Sequence, residues 1–157
     1  MRKRIIQQAA PTKYASNPNW LDLETLTQIE LTSEDTAFPV EGALIPGRES
    51  GWRASQSGEQ TIRLLFTQPQ RVSRIQLLFR EDQQQRTQEF LLSWSSDGGQ
   101  SYRDIVRQQF NFSPPGTTRQ LEDYEVDLEG MTTLELRIIP DLRGGVARAS
   151  LAQLRIA

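Results

Sequence analysis

The sequence contains no cysteine and no histidine. Without cysteine, the chain has no disulfide framework, no thiolate nucleophile and no cysteine-ligated zinc site. Without histidine, it lacks the commonest general base and the commonest transition-metal ligand of proteins. It also has no phosphate-cradling glycine loop and no nucleophile motif. We therefore expect a protein that binds a ligand and is not an enzyme, with no catalytic residue and no cofactor.

Long hydrophobic runs are also missing. Residues 1–8 begin with a basic run, but glutamines follow where a secretory signal needs an apolar stretch. No window approaches the roughly 20 apolar residues of a membrane span. From these two absences we expect a soluble, cytoplasmic protein that makes no membrane contact.

Charge is distributed unevenly along the chain. The first twenty residues have four basic side chains and no acidic one, namely Arg2, Lys3, Arg4 and Lys13. Residues 1–20 also lack a periodic apolar pattern, so we expect a flexible basic and polar arm followed by one domain over residues 21–157. The remaining basic residues of that domain are all arginines, and its acidic residues outnumber them. A net-acidic domain argues against a nucleic-acid partner, although local arginine clusters could override the sum.

From Leu21 onwards, apolar and polar residues alternate in short runs, and helical spacing is nearly absent. Alternation with a period of two is typical of half-buried β-strands. Such runs cover residues 29–31, 62–66, 75–79, 90–94, 102–106, 124–128, 134–138 and 154–156. Their number and spacing predict an all-β fold, an antiparallel sandwich or jelly roll of about eight strands.

Residues 90–105 contain a strand, a turn and a second strand. The first strand ends at Asp97-Gly98-Gly99, and Tyr102 follows the turn. Asp-Gly closes hairpins because glycine adopts a positive φ at little cost. We expect Tyr102 to return to the core.

This hairpin, the Gly51-Trp52 pair and the closing run of residues 149–156 resemble the discoidin or coagulation-factor type C domains. The resemblance covers about residues 25–157. It implies a galactose-binding-like jelly roll of eight antiparallel strands, with Trp52 buried. It also implies loops at one end that bind sugars, as in many bacterial carbohydrate-binding modules, or phospholipid or protein, as in animal relatives.

Members of this family often hold a structural calcium ion through an Asp-Gly loop before the tryptophan and a glutamate in the last strand. In this sequence Pro46-Gly47 and Gln153 stand at those positions. Neither proline nor a neutral glutamine supplies the anionic oxygen that calcium favours. We therefore expect no bound metal.

Residues 52–62 carry a second resemblance. They are similar to the entry into the second strand in the amino-terminal domain of the scaffold protein of DNA single-strand-break repair. That domain has the same sandwich fold and binds nicked DNA and a repair polymerase. The similarity covers only residues 28–82, and it keeps nucleic-acid binding open as an alternative. A third alternative, a protein-interaction module, is left open by arginines and glutamines on outward strand faces, such as Arg63, Arg74 and Gln76.

The segments long enough to form a binding site are residues 33–57, 80–87, 108–118 and 141–148. A sugar site combines charged or amide side chains, which hydrogen-bond hydroxyl groups, with an aromatic or apolar surface. The predicted ligand-binding residues are Arg48, Glu49, Arg80, Asp82, Arg86, Phe110, Phe112 and Arg143. One phenylalanine could instead seal the end of the core. We predict a non-catalytic carbohydrate-binding module whose loops contact a sugar-containing ligand.

Overall fold

The structure is a computed structural model that describes residues 19–157. The predicted arm therefore lies outside the described residues, except for Asn19 and Trp20. The elements are α1 (Leu23–Leu26), β1 (Thr27–Leu31), α2 (Glu41–Leu44), β2 (Trp52–Ser57), β3 (Gln60–Arg80), β4 (Arg86–Ser95), β5 (Arg103–Phe112), β6 (Arg119–Ile139), β7 (Arg148–Leu151) and β8 (Gln153–Ile156). All paired strands are antiparallel, which confirms the predicted fold class. Neither helix of this part of the chain is long and apolar enough to cross a membrane.

Strands β3 and β6 are each 21 residues long. Each contains two of the predicted runs: residues 62–66 and 75–79 lie in β3, and residues 124–128 and 134–138 lie in β6. The alternating runs did not predict β2 and β7, which pair with each other in a small separate sheet. Residues 19–157 contain eight strands, as predicted, although four of the predicted runs form only two strands and two observed strands, β2 and β7, had no predicted run.

Strand β3 doubles back on itself. Gln60 lies opposite Ile138, which in turn lies opposite Phe90. A straight strand would carry Phe79, nineteen residues beyond Gln60, about 60 Å away. The rings of Phe79 and Phe90 are instead stacked with their centroids 5.2 Å apart. The strand therefore bends, and its irregular pairing with β6 between Leu65 and Arg74 marks where it does so.

The bend creates two facing layers. The front sheet contains β1, the first half of β3, the second half of β6, β4 and β5, and the back sheet contains the first half of β6, the second half of β3 and β8. The inward side chains are buried in both layers: Ile62 and Leu64 in front, and Ile75 and Leu77 behind, are all 0% exposed. Each such side chain contributes roughly 1.5–3 kcal/mol through burial.

The long connections meet at one end of the sandwich, which we call the loop end. Two hydrogen bonds join them there: the amide of Glu81 donates to the carbonyl of Thr118 over 2.9 Å, and the amide of Leu142 donates to the carbonyl of Thr87 over 2.8 Å. Residues 81–85, 113–118 and 140–147 form this end. The predicted loop segments come together at this end only because β3 and β6 bend back on themselves.

The predicted hairpin lies at the opposite end. Gly98 and Gly99 have φ angles of +74° and +89°, and the Asp97 carboxylate accepts hydrogen bonds from the backbone and hydroxyl of Ser101. The expectation that Tyr102 returns to the core was wrong, because Tyr102 is half-buried and does not pack against the core. Its hydroxyl lies beside Gly99 instead.

Candidate functional site

A polar cleft of about 200 Å³ opens at the loop end. Its charged side chains come from three parts of the chain that are distant in sequence: Glu49 and Arg53, residues 80–82 (Arg80, Glu81 and Asp82), and Arg148. The small β2–β7 sheet carries Arg53 and Arg148, and the end of β3 carries Arg80. The cleft therefore depends on the pairing of β2 with β7, which the alternating pattern did not predict.

The floor of the cleft is apolar and tightly built. Trp52 is 1% exposed, and its indole N–H donates to the carbonyl of Ser33 over 3.2 Å. Gly51 has a φ of +71°, and a Cβ atom there would lie 3.0 Å from the carbonyl oxygen of Leu151. Glycine thus lets the two backbones approach closely at the cleft floor. As expected from the sequence, Trp52 is a buried packing residue.

The cations of the cleft differ in how they are held. The guanidinium of Arg53 lies over the ring of Phe38, 5.2 Å from its centroid, and Arg148 Nη1 is 4.0 Å from the carboxylate of Asp35. Within residues 19–157, the side chain of Arg80 makes no hydrogen bond or ion pair. The same holds for two of the carboxylates that line the cleft, those of Glu49 and Asp82. Three of the predicted site residues, Glu49, Arg80 and Asp82, therefore meet in one cleft with donors and acceptors available to a ligand.

The prediction that Arg86 contacts the ligand was wrong, because its side chain is buried. Its side chain is 1% exposed, and its Nε lies 2.6 Å from the carboxylate of Glu81. Its Nη1 donates to the carbonyl of Pro140 over 2.8 Å, and its guanidinium lies 4.7 Å from the ring centroid of Phe112. Arg86 therefore joins two loops of this end of the sandwich to the end of β5, and its burial leaves it no surface for contact with a ligand.

The bond to Arg86 also fixes the charge of Glu81. Burial favours the protonated acid, but hydrogen bonds from Arg86 and from the backbone amides of Gln83 and Gln84 outweigh burial and lower the pKa of Glu81. The ionised carboxylate thereby holds the turn that carries Asp82 into the cleft.

The prediction for Phe110 and Phe112 was also wrong: both lie in the last residues of β5, and the predicted loop of residues 108–118 begins only after Phe112. Phe112 is 0% exposed, and Phe110 is half-buried and packs edge-on against it with the centroids 4.9 Å apart. Neither ring forms an open stacking surface. The exposed apolar residues of the loop end are instead Leu142 and Val146, which are 43% and 84% exposed. The sequence indicated these two residues only as apolar side chains on either side of Arg143-Gly144-Gly145.

The remaining predicted residues, Arg48 and Arg143, are exposed near the loop end but do not line the cleft. The cleft residues that the prediction missed are Arg53 and Arg148. Arg53 had a readable signal, because the outward position next to the buried Trp52 places it on the solvent face of a strand.

The side chains do not fit a calcium site of the kind described for the family. Among residues 19–157, no group of three acidic side chains lies close enough to hold a metal ion. Gln153 pairs with Leu78 in the back sheet and offers only a neutral amide. Calcium favours several anionic oxygens.

A jelly-roll sandwich with a polar cleft among the loops of one end is a galactose-binding-like domain. The F5/8 type C domain family matches residues 25–153. The chain belongs to this family, which confirms the resemblance drawn from the hairpin motif. No curated protein matches the chain.

Several solved structures share the fold. A family 32 carbohydrate-binding module from Clostridium perfringens NanJ, in complex with galactose, has a TM-score of 0.60 and 16% identity, over 87% of this chain and 96% of that one. A second module from the same organism, in complex with GalNAc-β-1,3-galactose, has a TM-score of 0.62 and 20% identity, over 88% and 99%. Reduced XRCC1 bound to the catalytic domain of DNA polymerase β has a TM-score of 0.60 and 13% identity, over 84% and 95%. At these identities the likeness establishes the fold.

Proposed function

We propose that the protein is a non-catalytic carbohydrate-binding module whose ligand lies in the loop-end cleft. One observation carries the proposal: Arg80, Glu49 and Asp82 meet beside the floor formed by Trp52, and none of the three has a partner within residues 19–157. Polar side chains that converge on a concave surface without mutual partners are typical of a ligand site.

The chemistry of the cleft suits sugar hydroxyls. A hydroxyl both donates and accepts a hydrogen bond, so the Arg80 guanidinium can donate to one hydroxyl while the Asp82 or Glu49 carboxylate accepts from its neighbour. The cleft volume of about 200 Å³ is below the roughly 300–1,000 Å³ of most small-molecule pockets. The cleft therefore suits a terminal sugar unit, with the rest of the glycan in solvent.

The structural neighbours support the same class of ligand. Two of them were solved with galactose or with GalNAc-β-1,3-galactose, and this chain spans 96% and 99% of their lengths. The ligand class proposed here is thus the one seen in modules that this chain matches over nearly their whole length.

The proposal is tested by calorimetric titration of the purified protein with galactose and GalNAc-β-1,3-galactose. Alanine at Arg80 or Asp82 is expected to weaken binding about tenfold, since each loses a hydrogen bond to a charged group. The melting temperature should stay within about 2 °C, because both side chains are exposed. Arg71→Ala is the matched control: Arg71 is 66% exposed and pairs with Asp127 away from the loop end.

Binding to no sugar would contradict the proposal. So would equal losses of affinity in Arg80→Ala and in the Arg71→Ala control. The likeness to XRCC1 makes nicked duplex DNA a necessary comparison ligand. Binding to DNA that weakens steeply with added salt, with no binding to sugars, would favour the repair-like alternative.

A further inference from the structure

The arginines of the domain fall into two groups that occupy different regions. In the first group, a carboxylate oxygen lies within 4.0 Å of the guanidinium: Arg63, Arg71, Arg74, Arg86, Arg107, Arg137 and Arg148. These pairs neutralise both outer sheet faces and the buried joint between the loops. The positive charge of each of these arginines is therefore matched by a carboxylate of the protein itself.

The second group has no such carboxylate among residues 19–157. Arg155 is buried and donates to the carbonyls of Ala43 and Leu154, and Arg103 lies over the ring of Trp94. The others all lie at or beside the loop end: Arg48, Arg53, Arg80, Arg119 and Arg143. The cleft lining itself holds three arginines and three carboxylates. Over the loop end as a whole, these five arginines outnumber the three carboxylates that also lack a cation partner among the described residues, those of Glu49, Asp82 and Asp141.

Arg80 and Arg119 are the most informative members of this second group. They are direct cross-strand partners in the pairing of β3 with β6, and both are exposed. Side chains at such positions start about 4.5–5.5 Å apart, and like charges there repel. The preceding outward row pairs Leu78 with Leu121, which is 46% exposed. Two guanidinium groups therefore stand beside an exposed apolar side chain at the edge of the cleft.

Further along the same two strands, the charges are complementary. Arg74 donates two hydrogen bonds to the carboxylate of Asp123, and these hydrogen bonds are the main reason that the pKa of Asp123 lies below its usual range. The repulsive pair thus occurs only where the strands reach the cleft. An anion from outside the protein would fill the place that Asp123 takes beside Arg74.

We propose that the ligand of the cleft is an acidic carbohydrate, whose carboxylate or sulfate group binds between Arg80 and Arg119. This inference rests on the proposed function, because it assigns a chemical class to the ligand of the same cleft. A guanidinium group donates two parallel hydrogen bonds to such anions. The bound anion also removes the repulsion between the two arginines. Leu121 offers an apolar contact to the neighbouring ring carbons.

The experiment compares ligands that differ only in charge. Galacturonic acid carries a carboxylate at C6 where galactose carries a hydroxymethyl group, so trimers of the two sugars form a matched pair, and a sulfated galactose trimer is the third ligand. We expect an acidic trimer to bind about tenfold more tightly than the neutral trimer at low salt. The preference should shrink as salt is added. The carboxylated and sulfated trimers distinguish the two sources of the anion.

Arg119→Gln is the diagnostic variant, because Arg119 does not line the cleft itself. The variant is expected to lose the preference for the acidic trimer and to keep its affinity for the neutral one. Its melting temperature should not fall, since a repulsive partner is removed. Arg103→Gln is the control and should keep the preference, because Arg103 lies at the start of β5, beside the hairpin at the opposite end of the sandwich.

The failures of the two proposals are distinguishable. Equal affinity for neutral and acidic trimers would overturn the acidic-ligand inference and leave sugar binding intact. No binding to any trimer would overturn both. Tighter binding to an oligonucleotide than to the acidic trimers, at the same salt, would also overturn the inference and identify phosphate as the anion recognised.

Discussion

Replacement of Arg86 tests whether the loop end is held together by a buried ion pair. Arg86→Met removes the charge but keeps an unbranched apolar side chain in the space beneath the Phe112 ring. It removes the guanidinium donor of the Glu81 carboxylate, whose side chain is 15% exposed, and the side-chain donor of the Pro140 carbonyl. Breaking a buried pair from one side costs about 3–5 kcal/mol.

We expect a loss of about 3 kcal/mol in the free energy of unfolding, because backbone amides still bind Glu81. For a domain of this size that loss lowers the melting temperature by roughly 6–12 °C. Urea unfolding followed by tryptophan fluorescence measures the change in the free energy of unfolding. Arg80→Met is the matched control, six residues earlier and exposed, and should change the stability by about 0.5 kcal/mol or less.

The pH dependence adds a second measurement. The pKa of Glu81 is lowered in the folded protein, so its stabilising contribution is present above the unfolded value of about 4.3 and is lost as pH falls through the folded value. The loss of stability in Arg86→Met should therefore narrow as pH falls from the unfolded pKa of Glu81 through its lowered folded pKa, because the carboxylate that Arg86 stabilises becomes protonated. A variant that is as stable as the wild type but no longer binds ligand would refute the reasoning and return Arg86 to the binding site.

Three further substitutions test the hairpin and the cleft floor. Gly99→Ala should lower the free energy of unfolding by about 1–2 kcal/mol, because Gly99 has a φ of +89° and its Cβ would lie 3.1 Å from a neighbouring tyrosine hydroxyl; Gly58→Ala, at a φ of +88° in open space, isolates the backbone cost. Trp52→Phe should cost about 2 kcal/mol in chemical denaturation, since it removes the hydrogen bond to the Ser33 carbonyl and leaves a void. Hydrogen bonds from two serines hold the pKa of Asp97 well below its usual range. Asp97→Asn should therefore lower the melting temperature at pH 7, and the difference from the wild type should narrow only below about pH 4.

Arg80 and Arg86 show how far a local pattern reaches into the site. Both were predicted as ligand contacts, but only Arg80 faces the cleft. The inward alternation of Phe90 and Leu92 extends back through Gln88 to Arg86, so the parity of β4 already indicated that Arg86 points inward. The prediction missed this because the run was started at Phe90, where the polar residues end.

The features that could be predicted from the sequence alone are those that depend on residues close together in the chain. The alternation of side chains identifies strands because each residue's face follows from its position in the pleat. The Asp97-Gly98-Gly99 turn is equally local, since it requires only glycine at positive φ and a capping carboxylate. These two features were enough to predict the fold class and the family.

The cleft was decided by tertiary structure alone. Its residues lie up to about a hundred positions apart, from Glu49 to Arg148, and they meet because β3 and β6 bend and because β2 finds β7. No local pattern specifies which distant strand a segment will pair with. Nor does it specify which arginine will find a carboxylate, and the unpaired charges beside Arg80 become visible only once every other partner is in place. Long-range pairing depends on the packing of the whole core, and the chemistry of the site follows from it.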